Sequence, residues 1–186
     1  MNQLDFETIK SNWDTYEKLC KKAVKHGMIE LIASLGERII TTPFSTHEKD
    51  GGCYPGGLVE NALSTTSKMR KIASSFELNV ETASILKVGL LHEVGKVGTI
   101  EEDLFIDQDS SWHREKLGQY YKYNDALSKS TTPDRTLFLL QHFGITLTHD
   151  EFYAIRLSQG SHLEENRFYV NSEPDLAKCL QMAKRL

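Results

Sequence analysis

Leu90-Leu91-His92-Glu93-Val94-Gly95-Lys96-Val97-Gly98 closes the most apolar run of the chain, which begins at Val80. Ala83, Ile85, Leu86, Val88, Leu90 and Leu91 cover more than one helical face, so Val80–Glu93 reads as a central, buried helix. His92 at its end then lies inside. A histidine there needs partners for both ring nitrogens, with or without a metal. Gly95 is able to supply the positive φ of a helix stop. Two readings fit this ending. One is a helix C-terminus with a histidine and a lysine near the negative end of the dipole. The other is a pair of metal-binding groups, His92 and Glu93, with Lys96 beside them.

Outward from this run the pattern is helical. Leu4–His26 places Phe6, Ile9, Trp13, Tyr16, Leu19, Cys20 and Val24 at helical spacing, and Gly27 can end that helix. Its lysines Lys18, Lys21, Lys22 and Lys25 form either a solvated face or a set of phosphate contacts. Met28–Ile40 is a second helix with Ile29, Leu31, Ile32, Leu35 and Ile39 inward. Residues 41–57 read as a loop carrying His47, and a further helix runs from Gly57 to about Phe76 with Asn61 one turn in. Residues 99–126 are polar and irregular, anchored by Trp112, Tyr120, Tyr121 and Tyr123, with Gln119–Tyr123 as half of a hairpin. Thr131 with Pro133 opens another helix, whose buried face is Leu137, Phe138, Leu140 and Phe143. Thr148 with Glu151 forms a capping box for the next, with Phe152 and Ile155 inward. Phe168 and Tyr169 anchor the loop before the last helix, Asp175–Leu186. The expectation is an all-α single domain of about seven helices with a small irregular or hairpin insert. Residues 1–40 form a helical pair packed on a core spanning 41–186.

The central stretch resembles the His-Asp signature of the HD-domain superfamily of metal-dependent phosphohydrolases, Leu-Leu-His-Asp-x-Gly-Lys. Three other segments resemble that family in the same order. They are Tyr54–Leu63, Ala154–Gly160 (Ala-Ile-Arg-Leu-Ser-Gln-Gly) and Leu180–Leu186. The resemblance covers roughly Pro43 to Leu186 and is nearest to the small HD proteins of bacteria and their tailed phages. It implies a helical HD fold with a site assembled from several helices. By that resemblance Asn61 stands at the first metal histidine, Glu93 at the aspartate, Ser158 at a further histidine and Lys184 at the final aspartate. Thr131-Thr132-Pro133 also lacks a histidine usual there. Only His92 matches unchanged, so the resemblance implies a degenerate metal site and a pseudoenzyme. Lys184 is expected within reach of Glu93 or Asn61, in the volume of the missing ion.

Composition sets the bounds. The 186 residues suffice for one sizeable core, with 39% hydrophobic and 26% charged residues. A net charge of −4 does not indicate nucleic-acid or acidic-membrane binding. No run approaches ~18 apolar residues, so no membrane span is expected. Three widely spaced cysteines, Cys20, Cys53 and Cys179, read as free thiols of a reducing compartment. With no signal-like start, the expected location is the cytoplasm. Three functional readings stand. The first is a metal-free HD-type protein that binds a partner protein or a phosphate-bearing ligand through Lys96, Arg156, Lys184 and Asn61, with no cofactor. The second is an active phosphohydrolase using His92, Glu93 and one of His47 or His162 with Mg or Mn. The third is an unrelated helical module.

Overall fold

The computed structural model describes residues 4–186; Met1–Gln3 of the expected N-terminal span lie outside the described residues. The fold is all-α, with one two-stranded ribbon. Its helices are α1 (Phe6–Ala23), α2 (Met28–Thr41), α3 (Gly57–Ser75), α4 (Thr82–Leu91), α5 (Ser111–Leu117), α6 (Thr132–His142), α7 (His149–Arg156) and α8 (Asp175–Arg185). Short 3₁₀ turns occupy Glu48–Asp50, Val94–Val97 and Glu164–Tyr169. Strands β1 (Phe105–Asp107) and β2 (Tyr121–Tyr123) pair antiparallel, with Phe105 opposite Tyr123. The hairpin is therefore real, with a seven-residue helix inside it that the polar sequence conceals. Ser110 caps α5, its hydroxyl accepting from the His113 N–H, and Gly118 closes it at φ +60°.

α4 is the axis. Ile85, Leu86, Val88, Gly89, Leu90 and Leu91 are all buried, and α1, α3, α7 and α8 pack around the helix. The Tyr16 hydroxyl of α1 donates to the Leu90 carbonyl at 3.2 Å, which satisfies a buried phenol. Gly89 lets α3 approach: a Cβ there would lie 2.5 Å from the Thr66 hydroxyl and 3.0 Å from its Cα. α7 carries the expected capping box of Thr148 and Glu151. Glu151, almost fully buried, also accepts from Ser84 at 2.8 Å and pairs with Lys87 at 2.8 Å, so one carboxylate caps α7 and ties it to α4. Arg38 of α2 gathers the turn after the 3₁₀ segment. It pairs with Asp103 at 2.6 Å and donates to the carbonyls of Val97, Thr99 and Ile100.

Several expected core residues are on the surface. Phe6, Ile29, Phe138 and Phe152 are exposed on their helices, and the proposed anchors Trp112, Tyr123 and Phe168 are exposed as well, Phe168 at 89%. Periodicity finds an apolar stripe but not its covered edge. On α6 the core face is Pro133, Arg135, Thr136, Leu139 and Leu140, rotated from the expected one. The last helix buries Leu176, Cys179, Leu180 and Ala183 as read from sequence.

Gly89→Ala is expected to lower the melting temperature, because overpacking a tight helix contact costs about 1–3 kcal/mol. At roughly 2–4 °C per kcal/mol for a chain of this size, a thermal unfolding scan resolves the change. An unchanged midpoint would mean that α3 and α4 do not approach this closely.

Candidate functional site

The site is built where α4 ends. The His92 N–H still bonds to the Val88 carbonyl, after which Glu93 turns the chain into the 3₁₀ segment 94–97. Gly95 does not take the positive φ expected of it; Gly98 does, at +114°. What requires glycine at 95 is contact with α6, since a Cβ there would lie 2.6 Å from the Thr136 N and 2.7 Å from the Thr132 O. The Thr136 hydroxyl locks this turn, accepting from the Gly95 N–H at 3.0 Å and donating to the His92 carbonyl at 3.2 Å.

Glu93 is 4% exposed, with an ammonium at each carboxylate oxygen. Lys96, one turn on, lies 2.7 Å from Oε2. That contact is an ion pair without hydrogen-bond directionality, because Oε2 has no hydrogen-bond partner. Lys184, from the last turn of α8, donates to Oε1. Lys96 also donates to the Phe44 carbonyl at 2.7 Å and sits 3.3 Å from the centroid of the Phe44 ring, a cation–π contact. Burial favours the protonated form of Glu93, but the ammoniums of Lys96 and Lys184 outweigh it and hold the carboxyl well below its ordinary range. Burial also lowers the pKa of Lys96, against the raising effect of Glu93.

His92 is fully buried. Its Nδ1 lies 3.0 Å from the Gly89 carbonyl, an acceptor only, so Nδ1 carries the proton of the neutral ring. Nε2 has no hydrogen-bond partner and lies 3.9 Å from Glu93 Oε1. Burial lowers the pKa of the imidazole to about 4; Glu93 raises it, and Lys184 and Lys96 push it down.

The structure thus brings His92, Glu93, Lys96 and Lys184 together. Asn61 is half-buried, its Oδ1 accepting from Thr65 at 3.4 Å, and Lys184 takes Glu93 as its partner. Ser158 is buried with its hydroxyl unpartnered by protein. Arg156 binds Asn166 Oδ1 at 3.0 Å and lies 3.8 Å from Asp134, so its partners are outside the Glu93 cluster. His47 contacts Thr46 and Asp50, and His162 is exposed against Gly160. Phe44 and Thr136 belong to the site as well, and nothing in the local sequence pattern at either marks the long-range contact it makes.

Among the described residues no three His, Cys, Asp or Glu side chains are grouped to hold an ion. Both Glu93 oxygens already face ammonium groups, so a divalent cation does not fit the residues present. Comparison with known protein families, curated proteins and solved structures returns no match.

Replacing either Lys96 or Lys184 by Met leaves Glu93 one ammonium; replacing both leaves a buried carboxylate alone. The double variant is expected to lose about 3–5 kcal/mol, more than the two single losses together, with Glu93 moving toward its protonated form. Additive losses in urea unfolding would argue against a shared carboxylate.

Acid acts on the same cluster through His92 and Glu93. The His92 proton is bound by the unfolded chain near pH 6.5 and by the folded chain only near 4. Stability is therefore full above pH 6.5 and falls through that window, by up to roughly 3 kcal/mol. Glu93, held below its ordinary range, adds a loss at still lower pH, below its unfolded value of about 4.3. His92→Gln is expected to flatten the upper part of the profile, read as the urea midpoint against pH. An unchanged slope between pH 6.5 and 4 would place the acid sensitivity elsewhere.

Proposed function

We propose that this chain is an HD-type helical protein in which an ion-pair cluster replaces the metal centre. In this reading it acts by binding a partner protein or a phosphate-bearing ligand rather than by metal-dependent hydrolysis. The observation that carries it is the ammonium at each oxygen of Glu93. Catalytic metal sites generally use three or more protein ligands. Here the same corner offers one imidazole and one carboxylate, together with two cations that repel a divalent ion.

Two features support binding. With His92 neutral, Lys96, Lys184 and Glu93 sum to one positive charge, and the Lys184 side chain is 21% exposed, which suits an anionic group. Independently, α7 and the 164–169 turn carry a row of rings, Phe152–Tyr153–Tyr169–Phe168, with Phe152 and Phe168 exposed. Exposed apolar groups in a row suit a protein partner. No described helix is long and apolar enough to cross a membrane.

One observation favours the second reading, an active phosphohydrolase. A neutral His92 with Nδ1–H on a backbone carbonyl and a bare Nε2 is the form in which imidazole binds metals. A metal titration decides between the readings. Magnesium or manganese at about 1 mM is expected to move the melting temperature by less than about 1 °C, since a ligand of the native state stabilises it by mass action. The combined replacement Asn61→His, Glu93→Asp, Ser158→His and Lys184→Asp is expected to create a metal-dependent shift. A clear shift in the unaltered protein, abolished by His92→Ala and accompanied by phosphate-ester hydrolysis, would replace the binding reading with the hydrolase.

A further inference from the structure

We propose that the cleft between the β2–α6 connection and the start of α6 binds a small organic carboxylate, with Arg135 as its anchor. The site goes beyond the binding reading above, because none of Asn61, His92, Glu93, Lys96 or Lys184 lines this cleft. Its volume is about 520 Å³, within the range of small-molecule sites.

Arg135 is the unusual feature. The residue is 8% exposed and lies on the core face of α6, yet it lines the cleft. Buried arginines are normally paired with a carboxylate. Among the described residues Arg135 has one weak bond, from Nη2 to the Ser130 carbonyl at 3.4 Å, and no ion pair. The nearest acid in sequence, Asp134, is taken: it accepts from the Thr131 hydroxyl at 2.7 Å and faces Arg156 at 3.8 Å. A guanidinium carries five donors in a planar fork. Here that fork is held by the fold and left without its usual partner, on the wall of a cavity.

The remaining walls select the ligand. Leu104, Leu127 and the Tyr123 ring give apolar surface for an organic body. The charged groups at the cleft are Arg135, Lys129 and Asp125, a sum of one positive charge. That sum matches a monoanion. A phosphate dianion meets more repulsion from the Asp125 carboxylate in the same cleft than a monoanion does. A carboxylate also fits the fork in a bidentate pair.

Aromatic carboxylates from benzoate to indole-3-acetate, with phenyl phosphate and inorganic phosphate for comparison, test the site by isothermal titration of the full chain. Saturable carboxylate binding is expected, weakened at least about tenfold by Arg135→Gln, which keeps a donor for Ser130 and removes the charge. Arg135→Lys is expected to recover part of the loss. A measurement on the unaltered protein covers the case in which Arg135→Gln fails to fold. Bound carboxylate is expected to protect the Arg135 peptide from phenylglyoxal, read by mass spectrometry, while leaving Arg70 reactive. No saturable binding up to about 10 mM, within which a ligand of this size would register, would overturn the site. So would equal binding by Arg135→Gln, or an unprotected Arg135. Phenyl phosphate binding tenfold tighter than any carboxylate would overturn the assignment of the ligand class. Loss of binding in Lys184→Met alone would move the anion to the Glu93 cluster.

Discussion

A carboxylate taken out of water at the end of the central helix sets the terms for this structure. Glu93 is ionised and 4% exposed, so its desolvation must be offset on the spot. One compensating charge is local, Lys96 on the following turn. The other comes from the far end of the chain, on the last turn of α8. Each ammonium fixes something besides charge. Lys96 pins the 41–57 loop through the Phe44 carbonyl and ring, and Lys184 sets where α8 ends against α4. A buried triad of this kind is weak support for overall stability, but it restricts the arrangements in which all three groups are satisfied.

The same logic operates at two neighbouring points. Arg38 collects three carbonyls and Asp103, which orders the irregular chain leaving the 3₁₀ turn. Glu151 serves both the start of α7 and Lys87 of α4. At Glu93 and Glu151, therefore, the buried carboxylates are not isolated. Arg135 departs from this rule, since its guanidinium reaches a cavity wall with only a weak carbonyl contact.

Much of the architecture was legible in sequence because it is decided locally. The capping box at Thr148–Glu151, the Thr131 cap before Pro133 and the apolar density of Val80–Glu93 each depend on residues within a few positions. The burial faces were less legible. Phe138 and Phe152 are apolar and helically spaced, yet exposed, since a stripe becomes core only where another element covers it, and Phe168, read as a loop anchor, is exposed as well. α5 is not legible because seven mostly polar residues carry no amphipathic stripe; its Ser110 cap and Gly118 stop are its local marks.

By itself the sequence determined an all-helical chain organised around one apolar helix, and it singled out Asn61 and Arg156 together with four further groups, His92, Glu93, Lys96 and Lys184. Only the tertiary structure decided that these four converge, that Arg156 turns to Asp134 and Asn166, and that Gly95 is needed for contact with α6 rather than for a positive φ. The reason is range. Caps and helical periodicity act over one or two turns of chain. The pairing of residue 93 with residue 184 exists only once the helices between them have packed.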